Sequence, residues 1–307
     1  MQCIAKTVLI ILNLAFIVAG ALLIYFGVAL HSGHWADVFT SQGVSGANST
    51  AAVAIAFGVI VILIALCGFA GAICKNRCLL VTYSIFVVIA MLIFIALAII
   101  GFVAANVAKN WAAKSYPADP SETDVATGFN QAYCYAEGAR FCTTASAQEA
   151  LAAFFPTSSS VIITAVSTVG VNVSKPTGLV GFCQEVDSKA GALKSSLPSQ
   201  FTTACSTCND VASKYGDYKS IYEWANDKCP LTASSATWCG SFLLSNVQND
   251  AYVGAPYQAC RPAVLDLWKS YGNKVGIAGV ILTVVSIVLI FFACHIRKNP
   301  EAYYQSV

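Results

Sequence analysis

Apolar and polar positions in this chain come in blocks rather than in alternation. Four stretches, Thr7 to Leu30, Ala51 to Ile73, Leu79 to Asn106 and Val275 to Ile296, contain no Asp, Glu, Lys or Arg. Each exceeds the roughly 20 residues that a helix rising ~1.5 Å per residue needs to cross ~30 Å of hydrocarbon. The pattern predicts transmembrane helices over 7–30, 51–73, 79–107 and 275–296. Between them lie an N-terminal segment 1–6, a small loop 31–50, a turn 74–78, a large loop 108–274 and a tail 297–307. A cleaved signal peptide has an apolar core of about 7–15 residues, so the longer first block is read as a retained signal anchor.

Within the large loop the pattern changes. "AANVAKNWAAKSY" has no helix breaker before Pro117, which extends the third helix past the membrane, and "PADPSETD" (117–124) reads as a loop. "TTASAQEALAAFFP" carries a Ser/Thr cap, Gln148 and Glu149 in a first turn, and a proline stop, the marks of a short helix. "SVIITAVSTVGVNVS" (160–174) is β-branched and partly alternating, which predicts a strand or hairpin. Helical patterning returns from Cys208 onwards, through "ACRPAVLDLWKSYGNK" (259–274), and Pro262 to Lys274 is expected to run straight into the fourth span. The fold class is therefore a mainly α membrane protein: a four-helix bundle, a small first outer loop and a large, mostly helical second one with short strands.

Composition agrees, with 57% hydrophobic and only 10% charged residues against roughly a quarter charged in soluble domains. Lys6, Lys75, Arg77, Arg297 and Lys298 flank the helices on one side, whereas 31–50 has no Lys or Arg. The positive-inside rule then puts both termini and the 74–78 turn in the cytosol. Trp35, Trp111 and Trp268 near the opposite helix ends fit an interfacial aromatic belt. Eight of the thirteen cysteines, Cys134, Cys142, Cys183, Cys205, Cys208, Cys229, Cys239 and Cys260, fall in the large loop, an even number that reads as four disulfides in an oxidising compartment. The pair in "CSTC" (205–208) lacks the βαβ context of a redox motif and is read as two half-cystines bonded elsewhere. Sequons at Asn48 and Asn172 also lie on the outer side.

The bundle has one amide in its first helix, Asn13, read as interhelical hydrogen-bond glue rather than an ion ligand. Small residues recur at helical spacing: Gly20 and Gly27, then Gly58, Ala65, Gly68 and Ala72, then Gly276, Gly279 and Ser286. Asn13 and Phe16 followed by Gly20 and Gly27, "GFAGAICKNRCLL" (68–80) and "ACRPAVLDLW" (259–268) together resemble the tetraspanins. The order of short loop, tiny inner turn and large cysteine-rich loop is also theirs. The resemblance covers roughly half of the chain. This member diverges: the family's Cys-Cys-Gly signature is missing, Lys75 replaces the usual acidic residue of the inner turn, and 116–200 has no matching counterpart.

The resemblance implies a non-enzymatic membrane scaffold, with other integral membrane proteins, copies of itself and membrane lipids as partners. It also implies a sterol or phospholipid between the helices, with no other cofactor. For the disulfides it implies that one of Cys205 and Cys208 pairs with Cys260 and the other with Cys229 or Cys239. Cys3, Cys74, Cys78 and Cys294 form a cytosolic collar beside basic residues. A metal site there lacks the tight paired spacing of zinc ligands, whereas juxtamembrane thiols beside basic residues suit S-acylation. "YQSV" matches a Tyr-x-x-apolar sorting signal at Tyr304 and Val307, in keeping with the plasma membrane or endosomal system. His31, His34 and His295 have no catalytic companions, and the small basic excess does not indicate nucleic acid. The alternative is a channel or transporter accessory subunit, for which only Asn13, Thr82, Ser84, Thr283 and Ser286 offer a polar path. A claudin-type junction protein would carry cysteines in the first loop, which has none.

Overall fold

The computed structural model describes residues 2–32, 47–74, 77–189, 197–216 and 218–298. Among them are eleven helices and no strand. Four are long enough and apolar enough to cross a membrane: α1 (Gln2–Ser32), α2 (Ala47–Cys74), α3 (Arg77–Ala112) and α11 (Pro256–Lys298). All four outrun their uncharged segments, and α11 does so with Pro262 inside its second turn. Between α3 and α11 lie α4 (Pro120–Thr143), α5 (Ala147–Phe154), α6 (Ser159–Ser167), α7 (Gly178–Lys189), α8 (Ser199–Tyr215), α9 (Lys219–Lys228) and α10 (Ala233–Ser245). The described residues divide into two compact units: the bundle of α1, α2, α3 and the later part of α11, and the large-loop domain of α4 to α10 with the first turns of α11.

In the bundle, Phe16, Val61, Ile64, Ala65, Tyr83, Val87, Phe94 and Leu289 form a thin core to which every helix contributes. Ile11, Leu14, Leu22, Ile85, Leu92 and Ile287 face outward, as lipid-facing side chains do when hydrocarbon takes the place of water. Close backbone approach does the rest. A Cβ on Gly20 would stand 2.8 Å from the Gly58 carbonyl oxygen, and one on Gly101 would stand 2.6 Å from the Gly276 nitrogen and 2.7 Å from the Gly272 oxygen. Thr283 and Ser286 donate their hydroxyls back to Gly279 and Leu282 of their own helix. Trp111 is buried, with its ring edge-to-face on Trp268 at 5.2 Å. It packs between α3 and α11.

In the large-loop domain α4 is the central helix, surrounded by α5, α7, α8, α9 and α10. Its start corrects the loop expected over 117–124. Asp119 caps the helix by accepting the Ser121 N–H at 3.0 Å, with Pro120 in the first turn, where its missing N–H costs nothing. The short helix expected after Ser146 is α5, with the Ser146 hydroxyl accepting the Glu149 N–H at 3.2 Å. The strand or hairpin expected over 160–174 is instead α6 followed by a turn. Ile162 and Val166, four residues apart, are both buried, while Val161 is 67% exposed. Thr164 and Ser167 bond back to the carbonyls of Ser160 and Ile163. One buried helical face outweighs the β-branched preference, which is weak without a partner strand.

Candidate interaction surface and its framework

Four disulfides hold the large-loop domain: Cys134–Cys239, Cys142–Cys208, Cys183–Cys205 and Cys229–Cys260. This corrects the pairing that the family resemblance implied, since neither Cys205 nor Cys208 reaches Cys229, Cys239 or Cys260. The two "CSTC" cysteines are three apart on α8 and so share a face, from which they reach α7 and α4. Cys260, at the start of α11, meets Cys229 just after α9. Each bridge is worth typically ~2–4 kcal/mol, chiefly by restricting the unfolded chain.

Beside the Cys229–Cys260 bridge lies a buried polar cluster that sequence reading missed. Glu122 has no exposure and accepts from Arg261 Nε at 2.7 Å, the Tyr257 hydroxyl at 3.1 Å and the Ala118 backbone N–H at 2.6 Å. Asn130, also fully buried, receives the Tyr257 N–H at 2.8 Å and donates to the Ala251 carbonyl at 2.8 Å. A buried carboxylate is tolerable only when its lone pairs are taken up in this way. Asp119-Pro120-Ser121-Glu122 was a legible cap signal; the partners of Glu122, at positions 257 and 261, were not.

A second buried carboxylate, Glu137, accepts from Arg140 Nε at 3.0 Å, and Arg140 also reaches Glu149 at 2.6 Å. Burial pushes the Glu137 carboxyl above its ordinary range, an effect that Arg140 partly offsets. The guanidinium also lies 4.7 Å from the centre of the Phe141 ring.

The segment after α10 shapes the surface. Asn246 ends the helix in the left-handed conformation, φ 56°. Gln248 donates to the Thr127 carbonyl, and Trp238 Nε1 donates to the Asp250 carbonyl at 2.9 Å. The N–H groups of Tyr252 and Val253 both point at the Asp250 carboxylate and hold its pKa below the usual range. The result is a groove of about 560 Å³ along α10, lined by Ser234, Thr237, Trp238, Ser241, Val247 and Asn249. It contains no charged lining residue. Val247 and, near it in sequence, Val253 are more than half exposed.

In the bundle, Asn13 is buried and converges with Tyr83 on Gly68: a Cβ there would stand 2.6 Å from Asn13 Oδ1 and 2.8 Å from Tyr83 Cζ. A cleft of about 240 Å³ between α3 and α11 is lined by Val81, Ser84, Ile85, Val88, Ile290 and Cys294. Cys294 is a free, exposed thiol, as is Cys67. Cys3, Cys74 and Cys78 lie on the helical backbone of α1, α2 and α3, and Asn48 lies in the first turn of α2. Asn172 is exposed in the turn between α6 and α7. Tyr304 and Val307 lie outside the described residues.

A family model described as "Tetraspanin family" matches residues 5–299. A 120-residue stretch is 33% identical to the CD63 antigen of Rattus norvegicus and to that of Mus musculus, covering 38% of this chain and 48% of each relative. The match thus spans about half the length of those curated relatives. No solved structure matches.

Proposed function

The chain belongs to the tetraspanin family, and from this premise we propose that it is a non-enzymatic membrane scaffold, gathering other integral membrane proteins laterally through its bundle and its large-loop domain. One observation carries this reading. The buried carboxylates of the large-loop domain are consumed in internal bonds, while a neutral groove flanked by exposed valine is left on its surface. Charged groups committed to internal bonds beside an uncharged groove suit a protein that presents a shape rather than one that performs chemistry.

The proposed setting is the plasma membrane or endosomal system, with both termini cytosolic and the large loop on the outer side. The four disulfides support that orientation through the compartment they require. The cleft between α3 and α11 is proposed to hold an acyl chain or sterol from the bilayer. Cys3, Cys74, Cys78 and Cys294 are proposed S-acylation sites. Copies of the same chain are among the proposed lateral partners.

Affinity purification of the full chain in mild detergent, beside its Val253→Asp variant, tests the scaffold. Integral membrane proteins should co-purify with the wild type, and a subset should be lost from the variant. Ion conduction by the purified protein alone in liposomes would overturn the proposal in favour of a channel.

A further inference from the structure

We propose that Asn172, and not Asn48, carries an N-linked glycan, so that the α6–α7 end of the large-loop domain is a sugar-covered face. The proposal rests on the outward orientation of the large loop given above. Asn172-Val173-Ser174 has the residue types that the transfer requires, and the structure adds where they stand. The backbone around the acceptor is held on either side. Val171 is buried, and the Val173 carbonyl accepts the Gln148 N–H at 3.0 Å. Asn172 and Ser174 themselves are exposed.

The Asn172 side chain makes a local bond: Oδ1 accepts the Ser174 N–H at 2.9 Å. This is an Asx turn, which needs no tertiary contact and is available before the domain folds. The bond occupies Oδ1 and not Nδ2, and the Asn172 side chain is exposed. In the transfer, Nδ2 forms a bond to the anomeric carbon of a lipid-pyrophosphate-linked oligosaccharide. The bond from that carbon to the pyrophosphate oxygen breaks, the polyprenyl pyrophosphate leaves, and Nδ2 gives up one proton.

Asn48 differs in its place. It lies in the first turn of α2, three residues before the uncharged apolar run that begins at Ala51. At ~1.5 Å per residue it stands ~5 Å from the hydrocarbon, within the headgroup layer, and on helical backbone. Neither a bulky oligosaccharide nor its transferase is accommodated there.

The test expresses the full chain in eukaryotic secretory membranes and reads gel mobility with and without peptide N-glycosidase. Mass spectrometry follows the Asn-to-Asp conversion that the enzyme leaves behind. The wild type should show one enzyme-sensitive step with conversion at Asn172. Asn172→Gln and Ser174→Ala should abolish it, while Ser174→Thr and Asn48→Gln should keep it. Thr157→Asn, which makes a new sequon in the exposed turn before α6, is the topology control. An unmodified wild type with a modified Thr157→Asn variant overturns the assignment while the orientation stands. Absence of sugar from both overturns the orientation and the assignment with it. A step that survives Asn172→Gln but is lost in Asn48→Gln also overturns it.

Discussion

Arg261, in the second turn of α11, donates from Nε to Glu122 at 2.7 Å across 139 residues of sequence. Glu122 belongs to the first turn of α4, so one ion pair fastens the first and last helices of the large-loop domain to each other. Removing one partner of a buried pair typically costs ~3–5 kcal/mol, because the other charge is stranded. Arg261→Met should therefore lower the stability of the purified full chain by about that amount. Glu122→Gln combined with Arg261→Met should cost less than the sum of the two single changes. Thermal unfolding in detergent, arranged as a double-mutant cycle, checks both statements.

Gly101 faces the α11 backbone itself, with Gly276 nitrogen and Gly272 oxygen within 2.7 Å of where its Cβ would stand. Backbone cannot move aside as a flexible side chain can. Gly101→Ala should push α3 and α11 apart at a cost of ~1–3 kcal/mol, the usual range for overpacking. Gly170→Ala should not introduce such a clash, since nothing lies within 4 Å of its Cβ position. Its φ of 75° carries a separate, local strain. Trp111, edge-on to Trp268 at this crossing, provides the readout: its fluorescence should shift in Gly101→Ala and not in Gly170→Ala.

Glu137 sets a pH dependence of definite sign. Its folded pKa lies above the ordinary value of 4.5, with burial as the main cause. Between the unfolded and folded values the native state binds the extra proton, so stability falls as pH rises through the folded pKa. Asp250 acts the other way: its depressed pKa gives stability that is lost as pH falls below its ordinary 3.8. The two windows are separate. The melting temperature of Glu137→Gln relative to the wild type should be most in the variant's favour at neutral pH, and that advantage should shrink on acidification through the raised pKa. An advantage that widens over that interval would sink the assignment.

In a non-reducing map the peptide that carries both Cys205 and Cys208 should be joined through Cys205 to Cys183 and through Cys208 to Cys142, with no bond between the two. The sequence separations are unequal, 22 residues for Cys183–Cys205 and 105 for Cys134–Cys239. Loop-closure entropy makes the longer bridge worth roughly 1 kcal/mol more. Replacing both members of each pair by Ser should therefore hurt folding yield and melting temperature more for Cys134 and Cys239.

Much of this protein was legible in residue order. A segment in hydrocarbon must satisfy its own backbone, so uncharged runs such as Leu79 to Asn106 had helix as their only open solution. The grouping of eight cysteines in one loop likewise pointed to an oxidised domain. The tertiary structure decided the rest. Eight cysteines permit 105 pairings, and only the placement of α8 against α4 and α7 selects among them. Val161, Ile162 and Val166 favour a strand by local preference, yet Ile162 and Val166 become one buried face of a helix, with no strand among the described residues to receive them. Glu122 looks like an ordinary helix-start carboxylate in sequence; Arg261 and Tyr257, far along the chain, make it a buried anchor. Local choices follow from the solvent each segment meets, whereas partners distant in sequence exist only once the chain has closed on itself.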